Sequence, residues 1–124
     1  MKFIHSPNAP EAIGPYSQAI LVEKTLYVSG QTPINPRTKK VDATEIKSQT
    51  LLCLQNLEAI VVEAGMKKEN IVKCGVFLKD MNMFKDMNEV YKNFFGEHKP
   101  ARVTVEVARL PLDALVEIDC TAVK

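Results

Sequence analysis

The sequence predicts an α+β fold in which two helices pack against one face of a mixed β-sheet. The chain has 124 residues, of which 46% are apolar and 25% charged, so it can bury one hydrophobic core but not two. Its hydrophobic period changes between the alternation typical of strands and the 3.6-residue repeat typical of helices. The resulting order is hairpin, helix, strand, helix and two strands, which we interpret as a single domain spanning residues 1–124.

The charge of the chain gives little support to a nucleic-acid or membrane partner. The sequence contains 16 lysines and arginines and 15 acidic residues, and its net charge of +1 provides no long-range field to hold a polyanion. The first residues lack the apolar run of a signal peptide, and no stretch has the length of a membrane span. We therefore expect a cytoplasmic protein.

The cysteines of the chain predict neither a zinc site nor a disulfide framework. Cys53, Cys74 and Cys120 contain no C-x-x-C pair and are odd in number, which fits neither kind of site. Each has apolar side chains within two residues in the sequence. We expect small buried side chains in a reducing compartment.

The N-terminal part of the chain predicts an arm followed by a hairpin. Residues 1–15 contain three prolines and predict an irregular arm with a short strand at its start. Two β-type runs, SQAILV and TLYVSG, flank Glu23 and Lys24 between residues 17 and 30, a spacing that suits a tight hairpin. Two further prolines in residues 31–40 predict a loop.

Two helices follow from the helical spacing of apolar residues. Asp42 and Glu45 have the spacing of a capping box before the first helix, and Gly65 ends it. The second helix begins after Asp80 and ends at Gly96. The apolar positions are Ile46, Cys53, Leu54, Leu57, Ile60, Val61 and Ala64 in the first helix and Met83, Met87, Val90, Tyr91 and Phe94 in the second.

The remaining strands decide where polar side chains point. Residues 71–79 predict a strand buried at least partly on both faces, and residues 102–108 and 115–123 predict two more. The alternation places Val103, Val105 and Val107 on one face and Arg102, Thr104 and Glu106 on the other. We expect the helices to cover the valine face, so that Arg102 and Glu117 share an uncovered face that meets solvent or another subunit.

Arg102 and Glu117 are the two side chains best suited to ligand binding and catalysis. Pro100 and Ala101 restrict the backbone before Arg102, and a guanidinium held in this way can bind a carboxylate through two parallel hydrogen bonds. Spacing alone does not go further. By itself it favours a surface arginine and a solvated glutamate.

Three motifs carry a resemblance to a known family. These are IGPYSQA at residues 13–19, SGQTPINP at residues 29–36, and PARVTVEVARLP from residue 100 followed by VEIDCTAV from residue 116. With the helices between them, they make the chain resemble the reactive intermediate deaminase (RidA) family over essentially its whole length. The resemblance implies a RidA-like domain with a chorismate-mutase-like fold of the bacillus type, assembled as a homotrimer with ligand sites between subunits.

The resemblance also implies roles for individual residues. By motif position, Arg102 binds the substrate carboxylate, Glu117 orients or activates the hydrolytic water, and Tyr16 closes the pocket. Ser29 and Gly30 line the same cleft. The family often has a cysteine two residues after the arginine; here that residue is Thr104, which excludes a thiol role and leaves only a backbone contact with the substrate.

The reaction implied by the family is hydrolysis of 2-imino acids or their enamine tautomers to 2-ketoacids and ammonia. Such intermediates arise when pyridoxal-phosphate enzymes eliminate water from serine or threonine. Water addition needs orientation, carboxylate binding and one proton-transfer group, so we expect neither a metal nor an organic cofactor. His5 and His98 lie outside the motifs, and we assign both to the surface.

Two other functions stay open. Some family members have been described as translation inhibitors with ribonuclease activity, but the sequence shows no basic patch and predicts no histidine at the cleft. A regulatory module that binds small carboxylates without turnover is the second alternative. The presence of Glu117 beside Arg102 favours turnover, because carboxylate binding alone needs only the arginine.

Overall fold

The computed structural model describes residues 1–124 as a mixed six-stranded sheet with two helices. Its strands lie in the order β1-β2-β3-β6-β4-β5, and all neighbours are antiparallel except β4 and β5, which are parallel. The elements are β1 (Lys2–Ile4), β2 (Ala19–Val22), β3 (Thr25–Gln31), α1 (Ile46–Glu63), β4 (Ile71–Leu78), α2 (Phe84–Phe95), β5 (Ala101–Glu106) and β6 (Val116–Val123). The predicted α+β class is confirmed. Neither helix is long and apolar enough to cross a membrane.

The N-terminal hairpin forms as predicted. β2 and β3 pair through Val22 and Thr25 at the turn, where Glu23 adopts the left-handed conformation with φ 53°. β1 adds to the free edge of β2, which confirms the short strand at the start of the arm. The hairpin joins β6 through β3, so that the first two motifs lie beside the last one.

Helix α1 has the predicted core face but a different start. Leu54, Leu57 and Ile60 are completely or almost completely buried. The prediction of a capping box is wrong. Glu45 is the N-cap residue and makes no side-chain cap bond, while the Asp42 carboxylate accepts a hydrogen bond from the Thr38 hydroxyl at 2.5 Å. This loop bond uses the acid that a cap would need.

Helix α2 follows a single 3₁₀ turn in which the Asp80 carboxylate accepts the Asn82 N–H at 2.8 Å. Met87 and Tyr91 are buried as predicted, and Phe95 is buried in addition. Gly96 ends the helix with φ 64°, a left-handed conformation that glycine adopts at little cost. The helix lies over the edge of the sheet that carries β5, where Asn88 contacts Arg102.

The predicted orientation of β5 is wrong. Val103 and Val105 are 48% and 38% exposed, whereas Arg102 pairs in register with the buried Cys74 of β4 and lies under α2. The prediction assumed that the covered face of a strand is the apolar one. At this sheet edge the cover consists of aromatic and amide side chains of α2, which accept a guanidinium, so the valines face outward.

This register separates the two candidate side chains. Glu117 pairs with Phe77 of β4, and Phe77 pairs with Val105 of β5, so Glu117 projects from the valine side of the sheet. Arg102 projects from the helix-covered side. The expectation that Arg102 and Glu117 share one face is therefore wrong.

The face of the sheet opposite the helices has no cover within the chain. Its exposed apolar side chains include Phe3, Tyr27, Val103 and Val105. The three cysteines instead lie on the helix side and are free and buried, as predicted. Burial raises the pKa of all three thiols, that of Cys74 to about 11, which favours the protonated thiol at neutral pH.

Candidate active site

The first two motifs and the end of the third meet in one groove, which we call the Glu117 groove. Tyr16, Ser29, Gly30 and Glu117 line it together with Leu112. The pairing of β3 with β6 has an irregularity between Val28 and Gln31, which places Ser29 and Gly30 beside the start of β6. Four of the predicted site residues are thus brought together.

Gly30 makes room for the Glu117 side chain. A Cβ atom at position 30 would collide with the Glu117 carboxylate and would lie 3.0 Å from its Cδ atom. The carboxylate therefore lies across the backbone of β3, where any larger residue would displace it. The glycine in SGQTPINP has a steric role that its spacing alone does not reveal.

Glu117 has the electrostatic surroundings of a proton-transfer group. Burial raises the pKa of its carboxyl, and the neighbouring charge of Asp119 raises the pKa further. Asp119 is itself held by the Gly75 N–H, which donates to its carboxylate at 2.9 Å. A carboxyl with a raised pKa keeps its proton to a higher pH, so it can act as a general acid there, and it is a stronger base once ionised.

The other side chains of the Glu117 groove differ in their contacts and exposure. The Ser29 hydroxyl donates to the Ser17 carbonyl at 2.6 Å, which fixes β3 against the arm. Tyr16 is 53% exposed, so its ring is free to pack on a bound molecule. Leu112 adopts φ 59° in the turn Pro111–Asp113 and projects a largely exposed apolar side chain at the rim.

Arg102 lies in a second groove, the Arg102 groove, between α2 and β5. Its Nη1 donates to the Asn88 side-chain oxygen at 2.8 Å. Its guanidinium carbon lies 4.7 Å from the centre of the Tyr91 ring and 5.6 Å from that of Phe84. Both distances lie within the range of a cation–π interaction.

The Arg102 groove is positively charged. Lys92, His98 and Lys99 line it with Arg102, and the two ion pairs of the chain, Lys47–Glu89 and Lys79–Asp113, lie elsewhere. The guanidinium therefore has no carboxylate partner in its own chain. An uncompensated arginine beside further cations is suited to bind an anion.

Thr104 belongs with Arg102 rather than with the Glu117 groove. It pairs with the buried Val76 of β4 on the helix-covered side. Its hydroxyl is buried and has no hydrogen-bond partner in the chain. The side chain therefore points away from the cleft that contains Tyr16 and Glu117.

Sequence reasoning missed three residues near Arg102. His98 was assigned to the surface, but it is half-buried: its ring nitrogen lies 2.6 Å from the Ile71 carbonyl oxygen, and its ring packs edge-on against Phe95. Phe84 and Asn88 were not singled out. Their spacing of four residues, with Tyr91 three further on, is the signal of one helix face and could have identified them.

The two grooves lie on opposite faces of the sheet, so one small molecule cannot contact both within a single chain. The histidine, cysteine and acidic side chains form no group of three that could hold a metal ion. The arrangement offers an anion-binding half-site at Arg102 and a half-site at Glu117 that can transfer a proton. These halves can act together only if they come from different chains.

The chain matches a known family model over nearly its full length. Residues 6–124 match the model described as Endoribonuclease L-PSP. The chain belongs to this family. The match confirms the RidA resemblance, since this family includes the reactive intermediate deaminases among its named relatives.

Several curated relatives are similar over almost their entire length. A RutC family protein of Pyrococcus horikoshii is 51% identical over 121 residues, which is 98% of this chain and 96% of the relative. TdcF of Escherichia coli, named as a reactive intermediate deaminase, is 44% identical and covers 99% of this chain and 97% of its own.

Solved structures of the family share the fold. Escherichia coli TdcF with bound serine has a TM-score of 0.96 at 43% identity, and covers 100% of this chain and 99% of its own. A Thermotoga maritima protein named as an endoribonuclease has a TM-score of 0.97 at 44% identity and covers 100% and 98%. These likenesses confirm the predicted sheet and helix arrangement.

Proposed function

We propose that this protein is a 2-iminobutanoate/2-iminopropanoate deaminase that hydrolyses enamine and imine intermediates of pyridoxal-phosphate enzymes to 2-ketoacids and ammonia. The observation that carries the proposal is that the chain has two chemically complementary half-sites. An arginine without a carboxylate partner is available for the substrate carboxylate, and Glu117 with its raised pKa is available for water. The bound serine in the TdcF relative supports an amino-acid-like ligand.

The reaction needs only these two groups and a closed pocket. Arg102 binds the substrate carboxylate and thereby orients the imine carbon. Ionised Glu117 takes a proton from water as the oxygen adds to that carbon and gives a carbinolamine. Glu117 returns this proton to the nitrogen, which completes the addition, and then passes the hydroxyl proton of the carbinolamine to the nitrogen as well. The C–N bond breaks, ammonia leaves, and the 2-ketoacid carbonyl forms. Tyr16 packs over the substrate and limits the access of bulk water.

The active unit is a homotrimer with sites between its subunits. The half-sites lie on opposite faces of one sheet, and the uncovered face carries exposed apolar side chains such as Phe3, Tyr27 and Val105. A head-to-tail ring of three chains covers this face and brings the Arg102 edge of one copy to the Glu117 groove of the next. The predicted site is then completed at each interface.

The direct test adds the purified protein to a threonine dehydratase reaction in which imine hydrolysis has been made limiting, and follows 2-ketobutyrate. We expect faster ketoacid release in proportion to the protein added. Release unchanged by well-folded protein would overturn the deaminase proposal. Binding of 2-ketobutyrate without acceleration would instead favour the carboxylate-binding module.

A mixing experiment tests the shared site. Arg102→Ala and Glu117→Gln chains are each expected to be inactive, but after co-refolding in equal amounts a random ring regains an intact Arg102–Glu117 interface at about a quarter of its sites. We therefore expect about a quarter of wild-type activity in the mixture. Activity no higher than that of the separate variants would show that each site lies within one chain.

Ribonuclease activity is the second candidate, because the family model and a relative carry that name. The Arg102 groove contains a histidine that the sequence did not predict there: His98 lines it with Lys92 and Lys99. A histidine beside cations could act on a ribose hydroxyl of bound RNA. The discriminating assay incubates purified protein with single-stranded RNA. Cleavage that disappears in His98→Ala but persists in Glu117→Gln would favour the ribonuclease; uncleaved RNA would exclude it.

A further inference from the structure

One face of helix α2 holds the Arg102 side chain from three directions. Phe84, Asn88 and Tyr91 are spaced by four and three residues and face β5 together; we call them the α2 clamp. The Asn88 oxygen accepts one guanidinium N–H at 2.8 Å. The rings of Tyr91 and Phe84 lie against the guanidinium carbon at 4.7 and 5.6 Å.

The α2 clamp restricts a side chain that would otherwise be mobile. β5 is an edge strand with its second edge unpaired, and a long arginine side chain loses rotamer entropy when it is fixed. The two rings restrict the plane of the guanidinium, and the Asn88 bond fixes its rotation within that plane. Arg102 is therefore oriented before any ligand arrives, so that binding does not have to order it.

The chemical identity of Asn88 is as important as its position. An amide oxygen accepts the N–H without carrying a charge, so Arg102 keeps its full positive charge for a ligand. A carboxylate in the same place would form an ion pair and occupy the fork that the ligand needs. The absence of any acidic partner at Arg102 is consistent with this requirement.

We infer that Asn88 is a positioning residue for carboxylate binding: it aims the Arg102 guanidinium at the substrate carboxylate while leaving its charge uncompensated. This inference rests on the proposed function for the identity of the substrate. Helix α2 thus contributes to ligand affinity as well as covering the sheet. Asn88 acts through Arg102 and need not touch the reacting atoms.

The test measures the affinity for 2-ketobutyrate by titration calorimetry in three variants whose melting temperatures are determined first. Asn88→Ala removes the acceptor and is expected to raise Kd by about five- to tenfold. Asn88→Asp keeps the shape but pairs Arg102 internally, so Kd is expected to rise at least as much while the melting temperature holds. Asn93→Ala, an exposed asparagine of the same helix, is the matched control and should leave both unchanged.

The aspartate variant separates positioning from stability. If Asn88 were merely structural, folded Asn88→Asp would bind 2-ketobutyrate as wild type does, and the inference would be overturned. Absence of 2-ketobutyrate binding by wild type would overturn it as well. If Asn88→Ala does not fold, Asn88→Asp carries the test alone.

Turnover distinguishes this inference from the proposed function. In the dehydratase assay, both Asn88 variants should raise KM with little change in kcat. One outcome is that wild type binds 2-ketobutyrate with an affinity that depends on Asn88 and yet fails to accelerate ketoacid release. That result would overturn the deaminase proposal and leave the role of Asn88 in binding intact. Acceleration by wild type, with KM and Kd unchanged in both Asn88 variants, would support the deaminase proposal and overturn the role of Asn88.

Discussion

Arg102→Ala is expected to lower kcat/KM for imine hydrolysis by about a hundredfold or more. Charge-assisted hydrogen bonds contribute roughly 1.5–3 kcal/mol each, and a guanidinium can make two to one carboxylate. Their loss weakens binding and also leaves the imine carbon unoriented. The measurement is ketoacid release in the dehydratase reaction with wild type and variant at equal concentration.

Two further variants define the cause of the loss at position 102. Arg102→Lys keeps a positive charge without the planar fork, so we expect an intermediate rate. Arg37→Ala removes an exposed loop arginine that lines neither groove and should behave as wild type. If Arg102→Ala kept more than half of the wild-type rate, the carboxylate would have another binding partner.

Local patterns predicted most of the fold. The hairpin at Glu23, the core face of α1 and the end of α2 at Gly96 all depend on residues close together in sequence, where periodicity and turn chemistry act. The capping box at Asp42 failed because Thr38, four residues earlier, offered a competing hydrogen bond. Competition of this kind depends on the path of the loop, which the sequence pattern does not contain.

The site was harder to predict than the fold. Motif similarity selected Tyr16, Gly30 and Glu117, which the structure brings into one groove. It did not reveal that Arg102 lies on the opposite face, because that depends on the register of β5 against β4. Strand alternation divides side chains into two sets, but only the contact with α2 decides which set is covered. Asn88 was not predicted for the same reason, because its role depends on the contact between α2 and β5.

Glu117→Gln is expected to change activity and stability in opposite directions. Glutamine has the shape of glutamate but cannot take a proton from water, and general base catalysis typically contributes 10²–10⁴-fold, so kcat should fall by about a hundredfold or more. The folded state raises the pKa of this carboxyl. Its charge therefore opposes folding at neutral pH, and the neutral variant should have a higher melting temperature than wild type.

The sign of this effect fixes its pH dependence. A carboxyl whose pKa is raised by folding favours the native state most at acid pH, and this contribution is lost as the pH rises through the folded pKa. The melting temperature of wild type relative to Glu117→Gln should thus fall between mildly acid and neutral pH, while the catalytic rate of wild type rises as Glu117 ionises. Glu63→Gln, on the exposed side of α1, should show neither change.

The paired readout separates a catalytic carboxylate from an ordinary buried one. A variant that gained stability but retained its rate would show that burial beside Gly30 raises the pKa of Glu117 but that the reaction does not use this carboxylate. Another base would then have to activate water. A variant that lost both would indicate that the carboxylate holds β3 and β6 together. Only a loss of rate in a more stable protein agrees with a carboxyl kept near Gly30, at a cost in stability, for proton transfer.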